Sequence, residues 1–169
     1  MTRAARRALA IRSLHPGLRL SRPAVARALR LLDENAAALR CTVPPGELSV
    51  VFLTDSALAQ LHAAFLADPT PTDVITFVGS PSFGLAGEIC LSADAAARFA
   101  AAGQRRFAEE LTLYLAHGWL HLAGHDDRQP AKKRAMRRAE ARAMRVLREA
   151  QAIPSFRLGR KRLSPARRR

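Results

Sequence analysis

The chain is predicted to fold as an α+β domain, a small mixed four-stranded sheet covered by helices, with a metal-binding histidine helix among them. Three observations lead there. Val50-Val51-Phe52-Leu53 and Val74-Ile75-Thr76-Phe77-Val78 are runs of β-formers too short for helices and bounded by turn residues. Longer segments with helical apolar spacing lie between and beyond them. His117 and His121 sit four residues apart at the end of one such segment, so both rings project from one helix face.

In order along the chain, residues 8–15 read as a first strand, ended by Pro16 and Gly17. Ser21 caps a helix beginning near Pro23, with Val25, Leu29, Leu32 and Leu39 on its buried side. Glu47 to Thr54 is a buried strand, and Thr54 or Asp55 caps a short helix through Leu66. Asp68 to Pro71 is a loop. Val74–Val78 and Gly87–Leu91 form two more strands joined by a Gly/Ser/Pro turn. Ser92 caps an alanine-rich helix that stops near Gly103. The histidine helix then runs from about Arg106 to Ala123, and a basic helix from Pro130 to about Ala150. At 169 residues this is one domain, residues 1–152, followed by a basic tail, 153–169, expected to be disordered alone.

Charge narrows the partners. Twenty-eight basic against 14 acidic residues give a net +14, which favours a polyanion. Lys132, Lys133, Arg134, Arg137, Arg138, Arg142, Arg145 and Arg148 crowd the last helix, opposed only by Glu140 and Glu149. Among these, Arg137, Arg138, Arg142 and Arg145 are the expected RNA contacts. Arg157, Arg160, Lys161, Arg162 and Arg167 to Arg169 extend the excess into the tail. The helix lacks an aromatic or leucine-rich insertion face, so RNA is favoured over a membrane surface. Cys41 and Cys90 have neither metal-like nor redox-like spacing, and Cys90 reads as a small buried hydrophobe. No apolar run reaches membrane-spanning length and the basic start lacks an apolar signal core; a cytoplasmic setting is expected.

Two histidines four residues apart also occur as a buried pair satisfied by backbone carbonyls. Here three of the five histidines fall within nine residues beside two aspartates, which favours a metal. Gly124 permits a left-handed helix end that swings a further ligand back. Asp127 is the chosen third ligand; His125 is the alternative if the helix continues, and Asp126 suits orienting a histidine better than binding. The residue after His117 is Gly118, not the glutamate that serves zinc proteases as general base. Two histidines and a carboxylate also serve non-haem iron oxygenases, but nothing else in the chain suggests their co-substrate. A hydrolytic or structural zinc site is the better reading. No catalytic base is assigned.

The segment His117-Gly118-Trp119-Leu120-His121-Leu122-Ala123-Gly124-His125-Asp126-Asp127 resembles the His-Gly-x-Leu-His-Leu-x-Gly-x-Asp-His signature of the YbeY family. Pro71-Thr72-Asp73-Val74-Ile75-Thr76-Phe77 is similar to that family's Thr-Asp-Val-Leu-Ser-Phe block, and Ala86-Gly87-Glu88-Ile89-Cys90-Leu91-Ser92 to its Gly-Asp-Ile strand. The blocks keep the family's order and spacing, and the likeness spans roughly residues 8 to 150. The resemblance implies a zinc-dependent, single-strand-specific endoribonuclease of ribosomal RNA maturation and ribosome biogenesis, with one Zn2+ per chain and ribosomal RNA and the small ribosomal subunit as partners. Two departures stand out. The family's third metal histidine falls on Asp127, and an arginine implicated in its activity falls on Leu66, which cannot hold a phosphate. They sustain an alternative, a catalytically weakened ribosome-assembly factor with a structural zinc closed by His125.

Four further residues carry expectations. Asp73 either orients a metal histidine or caps a turn, with equal support. Glu88, an acid inside an apolar strand, is expected to face solvent on an edge strand. His15 and His62 read as surface residues, and Trp119 as core.

Overall fold

The computed structural model of the protein describes residues 7–66 and 72–159. The loop expected at Asp68–Pro71, the side chain of Leu66 and the basic residues from Arg160 onward lie outside the described part. The sheet contains β1 (Leu9–Ser13), β3 (Glu47–Leu53), β5 (Leu85–Ser92) and β4 (Val74–Val78), in that spatial order. β1, β3 and β5 run parallel and β4 pairs antiparallel with β5, so the sheet is mixed, as expected. Parallel neighbours need long crossovers. These are supplied by α1 (Arg22–Glu34) with α2 (Ala36–Leu39), and by α3 (Asp55–Leu66) with β4. α4 (Ala93–Ala102), α5 (Phe107–Leu122) and α6 (Pro130–Glu149) follow.

Local chemistry sets these boundaries. Ser21 Oγ accepts from the Ala24 amide at 3.3 Å with Pro23 in the first turn of α1, and Ser92 Oγ accepts from the Ala95 amide at 3.0 Å to start α4. At α3 the cap is Thr54, whose Oγ1 accepts from the Ala57 amide at 3.2 Å. The first helix does not run unbroken to Leu39. Asn35 turns its side-chain amide back onto the Leu31 carbonyl at 2.8 Å and interrupts it, and α2 buries Leu39 separately before Arg40 ends it at φ 59°.

Alternation along the strands divides two cores. Leu48, Val50, Phe52, Ile89 and Leu91 pack under α1, α5 and α6 with Leu29, Leu32, Leu115, Trp119, Ala143 and Leu147. Leu53, Ile75 and Cys90 point to the other face, against Leu58 of α3. Trp119 is 1% exposed, and its indole donates to Asp33 Oδ1 at 2.8 Å; Asp33 also receives Arg7 through two hydrogen bonds. Burial and the neighbouring Glu88 push the Cys90 thiol up to about 12, so it stays an unreactive core group.

The structure corrects three expectations. Residues 153–159 belong to the domain: Phe156–Leu158 forms β6, antiparallel to β2 (Leu18–Leu20), and Phe156 packs its ring 5.5 Å from that of Phe52. Glu88 is not on an edge, since β5 lies between β3 and β4; its carboxylate accepts from Ser49 Oγ on β3 at 2.7 Å. His15 is not a surface residue. Its side chain is 8% exposed, its Nδ1 accepts from the Gly17 amide at 3.0 Å, and its Nε2 lies 3.1 Å from Asp94 Oδ1. His62 is half-buried on α3. No helix among the described residues is long and apolar enough to cross a membrane.

Candidate metal centre

α5 lies flush on the sheet because of one glycine. A Cβ at Gly118 would stand 2.5 Å from Ile89 Cγ2 and 3.3 Å from side-chain carbons of Val74 and Thr76. The flanking histidines are thereby held at a fixed height above β4 and β5. The helix then ends in a Schellman turn: the Gly124 amide bonds the His121 carbonyl at 3.1 Å and the His125 amide the Leu120 carbonyl at 2.9 Å, with Gly124 at φ +102°. The reversal brings Asp127 back over the histidine face.

His117, His121 and Asp127 converge there, each half-buried, with one donor atom apiece within 4.8 Å of the others. The two Nε2 atoms are 2.9 Å apart, and Asp127 oxygens lie 3.9 Å from His117 Nε2 and 3.7 Å from His121 Nε2. The opposite ring nitrogens decide what these atoms offer. His117 Nδ1 is 2.6 Å from Glu140 Oε1, and His121 Nδ1 is 3.2 Å from the His125 carbonyl. A carboxylate and a carbonyl only accept, so both Nδ1 atoms carry hydrogens and both neutral rings turn a lone pair inward at Nε2. Two lone pairs and a carboxylate facing one another repel unless a cation lies between them. Tetrahedral zinc, with bonds of roughly 2.0–2.1 Å, spaces its donors about 3.3 Å apart. The observed separations bracket that value, so the donor set fits such an ion.

The charges around the rings agree with this. Burial lowers the pKa of His117, but its hydrogen bond to Glu140 and the negative charges of Glu140, Asp127 and Asp73 outweigh that and leave it raised. His121 moves the other way, lowered by burial and by the positive charge of a protonated His117.

The sequence profile described as "Endoribonuclease YbeY" matches residues 21–148. This chain belongs to the YbeY family. An endoribonuclease YbeY of Anaeromyxobacter dehalogenans is 40% identical over 129 residues, covering 73% of this chain and 67% of that protein. One of Chlamydia abortus is 39% identical over 126 residues, covering 69% and 80%. The solution structure of TM1509 from Thermotoga maritima has the same fold, with a TM-score of 0.57 at 21% identity over 85% of this chain and 91% of that one. The YbeY-family chain is accordingly an endoribonuclease, a hydrolytic enzyme.

The remaining expected site residues of this YbeY-family chain fall elsewhere. His125 contributes its backbone carbonyl to His121, and burial and then the charge of Arg142 lower the pKa of its ring. Asp126 faces away, bonded to Lys132 Nζ at 2.9 Å and the Arg128 amide at 3.1 Å, and the lysine and amide bonds lower its pKa to about 2. Asp73 Oδ1 accepts from the Val74 amide at 3.0 Å, the turn-capping role; its charge reaches His117 only through space. Of the four expected RNA-binding arginines, Arg138, Arg142 and Arg145 fall at i, i+4 and i+7 on one side of α6, and Arg137 lies roughly 100° round the helix from Arg138. Arg138 and Arg145 are exposed, Arg142 is half-buried beside His125, and Arg137 lines a groove of about 320 Å³ between α5 and α6 with Arg105, Arg148 and Glu140. Glu140 is the residue that sequence reasoning missed. Its signal was its isolation, one acid between Pro130 and Arg148 in a helix otherwise rich in arginine and lysine.

Proposed function

We propose that this chain is a zinc-dependent, single-strand-specific endoribonuclease that processes ribosomal RNA, including that of the small ribosomal subunit, during cytoplasmic ribosome biogenesis. The observation that carries the reading is the meeting of two inward lone pairs and a carboxylate at a half-exposed site in a member of an endoribonuclease family. His117, His121 and Asp127 would hold one zinc, which when bound supplies Lewis acidity at the scissile phosphate. Asp127 brings a formal negative charge where the family has a neutral imidazole, so the field at the reacting phosphate is weaker and turnover slower than with three histidines. The net charge of +14 holds the RNA backbone with little sequence choice and gives an affinity that falls steeply with salt.

The alternative of an assembly factor with structural zinc requires a site closed by four protein ligands. Three side chains converge among the described residues, and the ring of His125 is not one of them, which supports the open, catalytic reading. Single-stranded and duplex ribosomal RNA fragments, incubated with zinc-loaded protein, test the proposal. Cleavage of the single strand alone, abolished by a chelator, is the expected result; tight RNA binding without cleavage moves the reading to the assembly factor.

A further inference from the structure

Glu140 is the nearest group behind the metal centre, and its position in α6 leaves it few other uses. Ala139, Ala143 and Met136 of the same helix are sunk in the core, which fixes where its side chain emerges. Of the three guanidiniums lining the groove beside it, Arg105 is paired with Glu110 and Arg148 with Glu109, and Arg137 is exposed. Glu140 instead places Oε1 2.6 Å from His117 Nδ1, both side chains about four-fifths buried, across 23 residues of sequence and between two helices. His121 has a neutral carbonyl at 3.2 Å in the same place. The two histidines are therefore held unequally, one by a short charge-assisted bond and one by an ordinary one.

We propose that Glu140 is a positioning residue of the metal centre: it keeps the hydrogen of His117 on Nδ1, aims Nε2 at the ion, and so sets the affinity of the site. A carboxylate behind a ligating imidazole fixes the ring's tautomer and increases its basicity, and loss of such a partner typically costs 10- to 100-fold in metal affinity. Glutamine at 140 is nearly isosteric; its carbonyl can still accept from Nδ1, but without charge, and its amide can present the wrong partner. Alanine removes the bond altogether.

The inference rests on the metal reading of His117, His121 and Asp127, and the experiment separates the two. Zinc affinity is measured by competition with a chromophoric chelator for wild type, Glu140→Gln, Glu140→Ala and His121→Ala. The ring-nitrogen NMR shifts of His117 are recorded in the metal-free proteins, with thermal melts as a check on folding. The expected result is one tightly held zinc in wild type, roughly 10-fold weaker binding in Glu140→Gln and up to about 100-fold weaker in Glu140→Ala. A single Nδ1–H tautomer in wild type should give way to a mixture in Glu140→Ala. Variants that melt normally and bind zinc as tightly as wild type overturn the proposal, leaving Glu140 a clip between α5 and α6. Failure of wild type to bind zinc overturns the metal reading, and an unchanged tautomer in Glu140→Ala would then overturn the positioning role independently.

Discussion

Two corners of this protein set a histidine against a carboxylate, and they are opposite in kind. At the carboxyl ends of the parallel strands, His15 accepts from the Gly17 amide and bonds Asp94, whose other oxygen accepts from the Asp55 amide at 3.0 Å. Asp55 in turn receives Ser92 Oγ and Arg98. Both ring nitrogens of His15 and all four carboxylate oxygens of Asp94 and Asp55 have partners inside the network, which joins β1 to the starts of α3 and α4. At the metal centre the Nδ1 atoms are satisfied, and with both rings neutral neither Nε2 atom nor Asp127 offers a donor to the others. The larger cavity, about 860 Å³, lies beside the satisfied corner, and the groove next to the centre measures about 320 Å³. Convergent unspent lone pairs, rather than cavity size, separate a site from a structural knot.

The largest effect is expected on removing the rings of the metal centre. Replacing both His117 and His121 by alanine should lower cleavage on the order of 10³-fold or more, since a lost metal forfeits several kcal/mol of transition-state stabilisation. The double variant should stay folded but melt somewhat below metal-free wild type, because Glu140 loses its partner while two opposed lone pairs are removed with the rings. A gel-based cleavage assay alongside calorimetry checks both.

The next effect concerns the support beneath the centre. Gly118→Ala puts a methyl 2.5 Å from Ile89 Cγ2, and overpacking of this kind costs about 1–3 kcal/mol. Urea denaturation should show that loss, with weaker zinc binding as α5 is pushed from the sheet. Asp94→Ala should lower stability without touching the centre: leaving the Asp55 amide and His15 without their partner costs about 1–2 kcal/mol while zinc stoichiometry is unchanged.

The smallest expected effect is in pH. Burial works to raise the Asp94 pKa, but the Asp55 amide, His15 and Arg98 outweigh it and hold it below the usual 3.8. A carboxylate with a depressed folded pKa contributes stability above its unfolded value that is lost as pH falls through the folded one. The stability gap between wild type and Asp94→Ala should therefore persist at neutral pH and close only below about pH 4. A gap that closes between pH 6 and 7 would contradict this assignment.

Much of the sheet and the histidine helix was legible because periodicity and capping act within a few residues: Ser21, Ser92 and Gly124 each mark a boundary the structure keeps. β2 and β6 were not. Each is three residues long, and they pair across most of the sequence, Leu18 opposite Leu158. The interior place of Glu88 depends on strand order, which no local pattern encodes. Within the centre, the spacing of His117 and His121 and the reversal at Gly124 brought Asp127 into view. Glu140 and His15 act on partners 23 and 79 residues away, so their roles needed the fold.

The central claim is that the inward lone pairs of His117, His121 and Asp127 hold an ion required for RNA cleavage. Metal content and cleavage of single-stranded ribosomal RNA, measured together on zinc-loaded wild type and His121→Ala, test it most directly. Wild type should hold one zinc per chain and cleave, with both lost in a variant that remains folded. Cleavage that persists in a metal-free, folded His121→Ala would contradict it.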